Sequence, residues 1–272
     1  IDRPIADKHL TGGGGDNVFC SLQSVAPVAD RIRVGGLGPG AFKTSRDIAF
    51  LTGCSWATAL RGGLRRAWRG AAQYRWPTDR SFLKEEIANE VQIFSHPWLN
   101  PPSGALPGQA AHVALLLHTQ NHFEGLERSR VAPTISPLTA QPVVEAALRI
   151  PSWMWFHDGH NRWVARAAFA DNLPRRVIYR RSKATPNSFV TDVFKANRSR
   201  ITELLMDGGL VRHGILDRDA VWAALNSNRP CSELEYPRLM SFVDVEAWAS
   251  AQADLVAGPP LEGSSMRTSL LV

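Results

Sequence analysis

The stretch T-G-G-G-G-D-N-V-F, residues 11–19, follows residues 8–11, which form the best strand candidate in the chain. Four consecutive glycines leave their backbone N–H groups open to an anion, because no side chain stands in the way. Asp16, at the end of this loop, supplies a hard oxygen ligand of the kind that Mg²⁺ prefers. A glycine-rich turn is more often only a turn, so the local pattern leaves both a phosphate loop and a plain turn open.

Outside this loop the apolar residues recur mainly at helical spacing. The clearest case is residues 55–74, where apolar side chains including Trp56 and Trp68 alternate with arginines despite Gly62 and Gly63. The same spacing predicts helices over residues 83–94, 108–126, 141–149, 161–172, 192–206, 217–225 and 236–255. Convincing strands are scarce, so the sequence predicts a mostly α fold.

Composition excludes several classes of protein. The chain has 272 residues, 44% of them apolar, which is ordinary for a globular protein. No apolar run approaches the roughly 18 residues of a membrane span, and residues 1–10 lack the order of a signal peptide. The three cysteines lack C-x-x-C spacing, which indicates neither a zinc site nor a disulfide framework. We therefore expect a soluble, cytoplasmic protein without a membrane partner.

Positive charge is in excess and is concentrated in one segment. The chain has 31 Lys and Arg against 25 Asp and Glu, a net charge of +6, which favours anionic partners. Residues 160–183 carry the densest group of cations, namely Arg162, Arg166, Arg175, Arg176, Arg180, Arg181 and Lys183. This pattern fits a solvated basic face or a polyanion site, and composition does not separate the two.

Three segments in order resemble the asparagine synthetase family. Residues 11–19 are similar to its motif S-G-x-G-x-D-E-x-F, and residues 137–145 align without a gap with P-F-L-D-x-x-x-V-E. Residues 173–183 resemble a basic family stretch that begins with Leu-Pro and ends with Arg-x-Lys. The resemblance covers residues 8–22 and 130–190 well and elsewhere extends only to the fold.

The resemblance implies an ATP- and Mg²⁺-dependent enzyme that activates a carboxylate as an acyl-adenylate for attack by an amine. It assigns Mg²⁺ binding to Asp16 and catalysis at the reacting phosphate to Lys183. The backbone of Gly12, Gly13, Gly14 and Gly15 would approach the pyrophosphate, with assistance from Arg181. Either a peptide or an amino acid would provide the carboxylate.

The resemblance also predicts how the chain is organised. Residues 1–257 would form a partial synthetase domain, the C-terminal part of an α/β adenine-nucleotide-binding fold of the PP-loop ATP pyrophosphatase type. Residues 258–272 would be a flexible tail. The family's S-G-G-x-D-S loop, its N-terminal sheet and its glutaminase domain are absent from the sequence, so we expect the fragment to be inactive alone.

Departures from the family pattern bear on the substrate. Asparagine synthetases carry Glu at the positions of Gly13 and Asn17 and Asp at Ala140, and their loss argues against free aspartate. The glycine loop and residues 151–171 resemble the subgroup that closes lasso peptides, whose partners are a precursor peptide and a leader-peptide protease. The runner-up is a glutamine-hydrolysing asparagine synthase. The aromatic run at Trp153, Trp155 and Phe156 would line a peptide pocket or pack in the core.

A different class is a basic helical nucleic-acid-binding module, which the tryptophans interleaved with arginines at residues 56–76 would suit. Such a module has no need of Asp16 at the end of a glycine loop. The order of the three motifs therefore favours the synthetase, and we expect no nucleic-acid partner.

Overall fold

The computed structural model describes residues 8–69, 74, 76, 78–90, 95–120, 132–181, 187–226 and 235–257. The chain forms two compact units, one of Ile1–Pro77 with Phe94–Lys183 and one of Thr78–Ile93 with Ala184–Val272. Helices dominate both, which confirms the predicted mostly α fold. None of the helices in the described ranges is long and apolar enough to cross a membrane.

In the first unit the helices are α1 (Gly15–Val18), α2 (Ala26–Gly35), α3 (Pro39–Thr52), α4 (Trp56–Trp68), α6 (Pro107–Gln120), α7 (Gln141–Leu148), α8 (Trp163–Ala168) and α9 (Arg175–Ile178). Short 3₁₀ helices cover Pro97–Leu99, Pro137–Thr139 and Ser152–Trp155. The second unit contains α5 (Glu85–Glu90), α10 (Asn187–Ala196), α11 (Arg198–Met206), α12 (Gly209–Arg212), α13 (Arg218–Asn226) and α14 (Glu235–Ala257).

A two-stranded parallel sheet introduces the glycine loop. β1 (His9–Leu10) pairs with β2 (Thr134–Ile135), with His9 opposite Thr134 and Leu10 opposite Ile135. The predicted strand at residues 8–11 is therefore confirmed, whereas β2 was not predicted. Two residues are too few to show a periodicity, so only pairing reveals β2.

Helices α2 and α4 pack closely because α4 carries glycine at the contact. A Cβ on Gly63 would lie 2.4 Å from Cγ1 of Val28, and one on Gly62 would lie 3.1 Å from Cγ1 of Val25. The glycines that seemed to weaken the helix are thus what lets α2 approach it. The apolar face was predicted wrongly at its ends, because Trp56 and Trp68 are 51% and 77% exposed.

Asp30 on α2 fixes the start of α6. This fully buried carboxylate accepts hydrogen bonds from the N–H groups of Gly108 (2.7 Å) and Gln109 (3.2 Å) and from the hydroxyl of Ser152 (2.6 Å). A helix start leaves N–H groups without intrahelical partners, and Asp30 provides acceptors for two of them. Burial raises the pKa of Asp30, and these hydrogen bonds oppose that rise.

Helices α2 and α3 were not predicted. Proline and glycine make residues 26–40 look like a loop, but Pro27 and Pro39 lie in the first turns of their helices. Proline is tolerated there because the missing N–H has no intrahelical acceptor. The two prolines therefore mark the starts of helices and not a loop.

The second unit has its own core, which contains Leu205, Leu216 and Leu239. The predicted helix over residues 192–206 is interrupted at Asn197, whose amide donates to the carbonyl of Val193 over 2.9 Å.

Candidate functional site

The glycine loop leaves the sheet at Thr11, whose N–H donates to the carbonyl of Ile135 over 2.9 Å. The chain then turns through Gly14, which has a φ of +78° that L side chains rarely adopt. Helix α1 begins at Gly15, where a Cβ would lie 2.8 Å from Cδ1 of Leu138. The loop therefore needs glycine at Gly14 for its turn and at Gly15 for its close contact with the 3₁₀ helix Pro137–Thr139.

Part of the predicted phosphate cradle is engaged within the loop. The N–H of Gly13 donates to Oγ1 of Thr11 over 3.2 Å, and the N–H of Gly15 donates to the carbonyl of Gly12 over 3.3 Å. Within the described part of the chain, the N–H groups of Gly12 and Gly14 donate to no acceptor. These two amides are the ones available to an anion without rearrangement.

Helix α6 anchors the short helix that carries Asp16. The Asn17 amide donates to the carbonyl of Leu115 over 2.7 Å, and Nε2 of His112 lies 2.9 Å from the carbonyl of Val18. His112 is buried, and burial lowers its pKa, so the neutral ring is favoured and Nε2–H donates. Together these bonds hold α1 against α6 and fix where the Asp16 carboxylate lies.

Asp16 forms an ion pair with Arg162, the residue that precedes α8. Their side chains are 33% and 26% exposed, so the pair lies at the surface of the fold with one side towards solvent. Arg162 adopts a left-handed conformation with a φ of +55°. Such a conformation is uncommon for a residue other than glycine and persists when its surroundings fix it.

Arg166 holds the segment that presents Arg162. Its Nε donates to the carbonyl of Asn161 over 2.8 Å, and its Nη1 donates to the carbonyls of Val177 and Ile178. Burial lowers the pKa of Arg166, and the nearby charges of Arg162 and Arg180 lower it further. Arg166 is therefore a structural cation, whereas Arg162 faces an open site.

A cavity of about 380 Å³ lies beside the ion pair, and we call it the Asp16 cavity. Its lining includes Asp16, Ser21, Ser24, Leu115, Asn161 and Arg162. Carboxylate, hydroxyl and amide oxygens suit Mg²⁺, and a guanidinium suits phosphate oxygens. Among the described residues no group of three His, Cys, Asp or Glu could hold a metal. Asp16 would thus contribute one ligand and leave the others to phosphate and water.

The other predicted site residues lie elsewhere or outside the described residues. The guanidinium of Arg181 lies 4.9 Å from the ring centroid of Phe50, and Arg181 does not line the Asp16 cavity. Lys183 lies outside the described residues, so its role as the catalytic lysine stays a prediction. The peptide-pocket alternative is wrong for Trp155 and Phe156, which are 1% and 4% exposed and belong to the core.

Sequence reasoning missed Arg162 as a distinct site residue. It was one cation of the basic segment, with no spacing that separated it from Arg166. The only local signal of an unusual backbone here was Gly159, three positions earlier. It lies in the tight turn that pairs His157 with His160. The contact with Asp16 joins residues far apart in the chain, which no local pattern encodes.

One comparison with known proteins identifies a family. A family model described as asparagine synthase matches residues 6–250, which is most of the chain. Neither a curated protein nor a solved structure matches it.

Proposed function

The chain belongs to the asparagine synthase family, whose members are ATP-dependent amide-forming synthetases, and we propose that it closes a macrolactam ring in a lasso peptide. It would activate an acidic side chain of the peptide as an acyl-adenylate and release pyrophosphate. The peptide's own N-terminal amine would then displace AMP and form the amide. The Asp16–Arg162 pair at the end of the glycine loop supports the synthetase chemistry, and the uncharged residues Gly13, Asn17 and Ala140 support the choice of a peptide.

The proposed nucleotide site uses opposite charges in one place. Asp16 would hold Mg²⁺, which neutralises charge on the triphosphate when it is bound. Arg162 would then transfer its hydrogen bonds from the carboxylate to phosphate oxygens, because a guanidinium binds both in the same planar fashion. The open N–H groups of Gly12 and Gly14 would support the same anion.

The neutral side chain of Asn17 argues against free aspartate as the substrate. Its amide is neutral and donates to Leu115 on α6, so it supports the fold where an asparagine synthetase has an acid. Gly13 and Ala140 likewise carry no charge. Without these acids the site has less with which to bind ammonia or the ammonium group of aspartate, whereas a peptide brings its amine and its acid in one molecule.

The substrate is tested by supplying the full-length protein with ATP and Mg²⁺ in two mixtures. One contains aspartate with glutamine or ammonia, and the other contains a peptide with a free N-terminus and an acidic side chain seven to nine residues on. We expect the peptide to lose one water by mass and little asparagine to form. Efficient asparagine production would favour the runner-up, an asparagine synthase.

Lys183 is proposed as the catalytic lysine that stabilises the negative charge that develops on the leaving pyrophosphate. Loss of such an interaction lowers the turnover rate more than it lowers ATP affinity. We expect Lys183→Ala to abolish most turnover and Lys183→Arg to rescue it poorly, because guanidinium and ammonium differ in shape. The control is Arg175→Ala, whose guanidinium lies over Tyr179. Equal losses in the two alanine variants would place the lysine role elsewhere.

A second function is favoured by one surface. The outer side of α4 exposes Trp68 together with Arg61 and Arg65. Aromatic and basic side chains on one face suit a nucleic acid. Binding to random duplex that weakens steeply with salt would support this function, and binding that is absent would leave the synthetase alone.

A further inference from the structure

A second cavity is separate from the Asp16 cavity and lies between α6, α7 and the 3₁₀ helix Pro97–Leu99. Its volume is about 780 Å³, and we call it the apolar cavity. The wall residues that matter most here are Trp98, Pro102, Ala110, Val113, Val144 and Leu148. Pockets of roughly 300–1,000 Å³ with such walls hold ligands as large as a drug molecule. The cavity therefore accommodates several apolar side chains together.

The charge of the described lining does not favour a nucleotide. The chain has a net charge of +6, yet the described residues of the lining include no Lys, Arg or His. The ionisable side chain among them is Glu145, which accepts a hydrogen bond from Gln141 over 2.8 Å and lies 3.6 Å from Arg149. A phosphate or a free aspartate would meet this carboxylate and no cation among the described lining residues. The lining instead complements a neutral, apolar ligand.

The polar atoms of the lining match a peptide backbone. Gln109 and Gln120 bring primary amides to the walls of the cavity. An amide side chain both donates and accepts hydrogen bonds, as the N–H and C=O groups of a peptide do. A hydrocarbon chain could form no hydrogen bonds with these amides, whereas a peptide could.

Two elements contribute both to the apolar cavity and to the Asp16 site. On α6, Leu115 lines the Asp16 cavity and the next residue, Leu116, lines the apolar cavity. In the 3₁₀ helix Pro137–Thr139, Leu138 contacts Gly15 and Thr139 lines the apolar cavity. The same two elements therefore position the glycine loop and form walls of the apolar cavity.

We propose that the apolar cavity binds an apolar segment of the peptide substrate and so selects a peptide over an amino acid. This inference rests on the proposed function, because it assigns the ligand of the cavity to the molecule whose acid is activated beside Asp16. The segment binds by its side chains and backbone and takes no part in adenylation. Its recognition therefore needs neither ATP nor Mg²⁺.

The experiment measures fluorescence anisotropy of a labelled peptide with the full-length protein in the absence of nucleotide. The probe is a short peptide of Leu, Val, Phe and Gly, and its partner has Ser in place of every apolar residue. We expect saturable binding of the apolar probe and at least tenfold weaker binding of the serine probe. Equal binding of the two probes, or no binding of the apolar probe, would overturn the inference.

Variants identify the cavity as the place of binding. Val144→Arg introduces a charge into the wall, and Gln109→Trp fills the cavity from an exposed position that contributes nothing to the core. Both should weaken binding of the apolar probe at least tenfold. The matched control Val34→Arg changes a valine that is 59% exposed and outside the lining, and it should leave affinity within twofold. Unchanged affinity in folded Gln109→Trp would overturn the inference.

The two proposals fail in distinguishable ways. A protein that binds the apolar probe in the cavity but cyclises no peptide retains the inference about the ligand and loses the proposed function. A protein that cyclises peptides equally well with and without apolar residues, and in Gln109→Trp, retains the proposed function and loses the inference.

Discussion

Asp16 and Asp30 are carboxylates in the same unit with opposite surroundings. Asp30 is fully buried and accepts three hydrogen bonds from the starts of α6 and the 3₁₀ helix Ser152–Trp155. Asp16 is one-third exposed, pairs with Arg162 and lines a cavity. The acceptors of Asp30 hold the fold together, whereas Asp16 is partly exposed to solvent beside a cavity. Only the second carboxylate can be reached by a ligand without unfolding the unit.

The largest effect is expected where the fold depends on the carboxylate. Asp30→Ala removes three hydrogen bonds and leaves buried donors without partners, which should lower the free energy of unfolding by about 3–5 kcal/mol. Urea denaturation measures the change. The exposed control Asp171→Ala should cost under about 0.5 kcal/mol, as is usual for surface substitutions. Similar losses in both variants would show that Asp30 contributes no more to stability than an exposed carboxylate does.

At Asp16 the expected loss is one of activity. Asp16→Asn should lower carboxylate-dependent pyrophosphate exchange by at least about a hundredfold, or roughly 3 kcal/mol, because Mg²⁺ loses its protein ligand. The free energy of unfolding should change by under about 1 kcal/mol, since partly exposed ion pairs contribute little. Wild-type exchange rates in the variant would make Asp16 a turn residue.

The pH dependence of the free energy of unfolding should reveal the contribution of His112, which holds α1 against α6. Burial lowers the pKa of His112, so the native state favours its neutral form. This contribution is complete above the unfolded pKa of about 6.5 and is lost as pH falls below it, by up to about 2 kcal/mol between pH 7 and pH 5. Unfolding of His112→Gln should lack that component, whereas the exposed control His118→Gln should retain it. A wild-type slope in His112→Gln would contradict the assignment.

The smallest expected effect is on stability, and it compares Gly63, which is packed against α2, with Gly12, which has open space around it. Gly63→Ala puts a Cβ 2.4 Å from Val28, and overpacking of about 1–3 kcal/mol less the helix preference for Ala leaves a net loss of about 1 kcal/mol. Gly12→Ala meets nothing within 4 Å and should leave stability unchanged while it slows pyrophosphate exchange. Thermal denaturation and exchange rates of the two variants give the comparison.

Local patterns predicted some elements better than others. Helix α4 has a strong apolar period and a Ser55 cap, and it was predicted, although Trp56 and Trp68 at its ends are more exposed than expected. Helices α2 and α3 were missed because proline in a first turn looks like a break. β2 was missed because a two-residue strand is defined by its partner alone.

Three motifs in order were enough to identify the family and to place Asp16 at the end of a glycine loop. The pairing of Arg162 with Asp16, the bonds of Asn17 and His112 between α1 and α6, and the burial of Trp155 became visible in the folded molecule. The two kinds of feature differ in the range of their interactions. Motifs and periodicity record what neighbours in the chain must do, whereas these contacts join residues that are distant in the chain and form only when the helices pack.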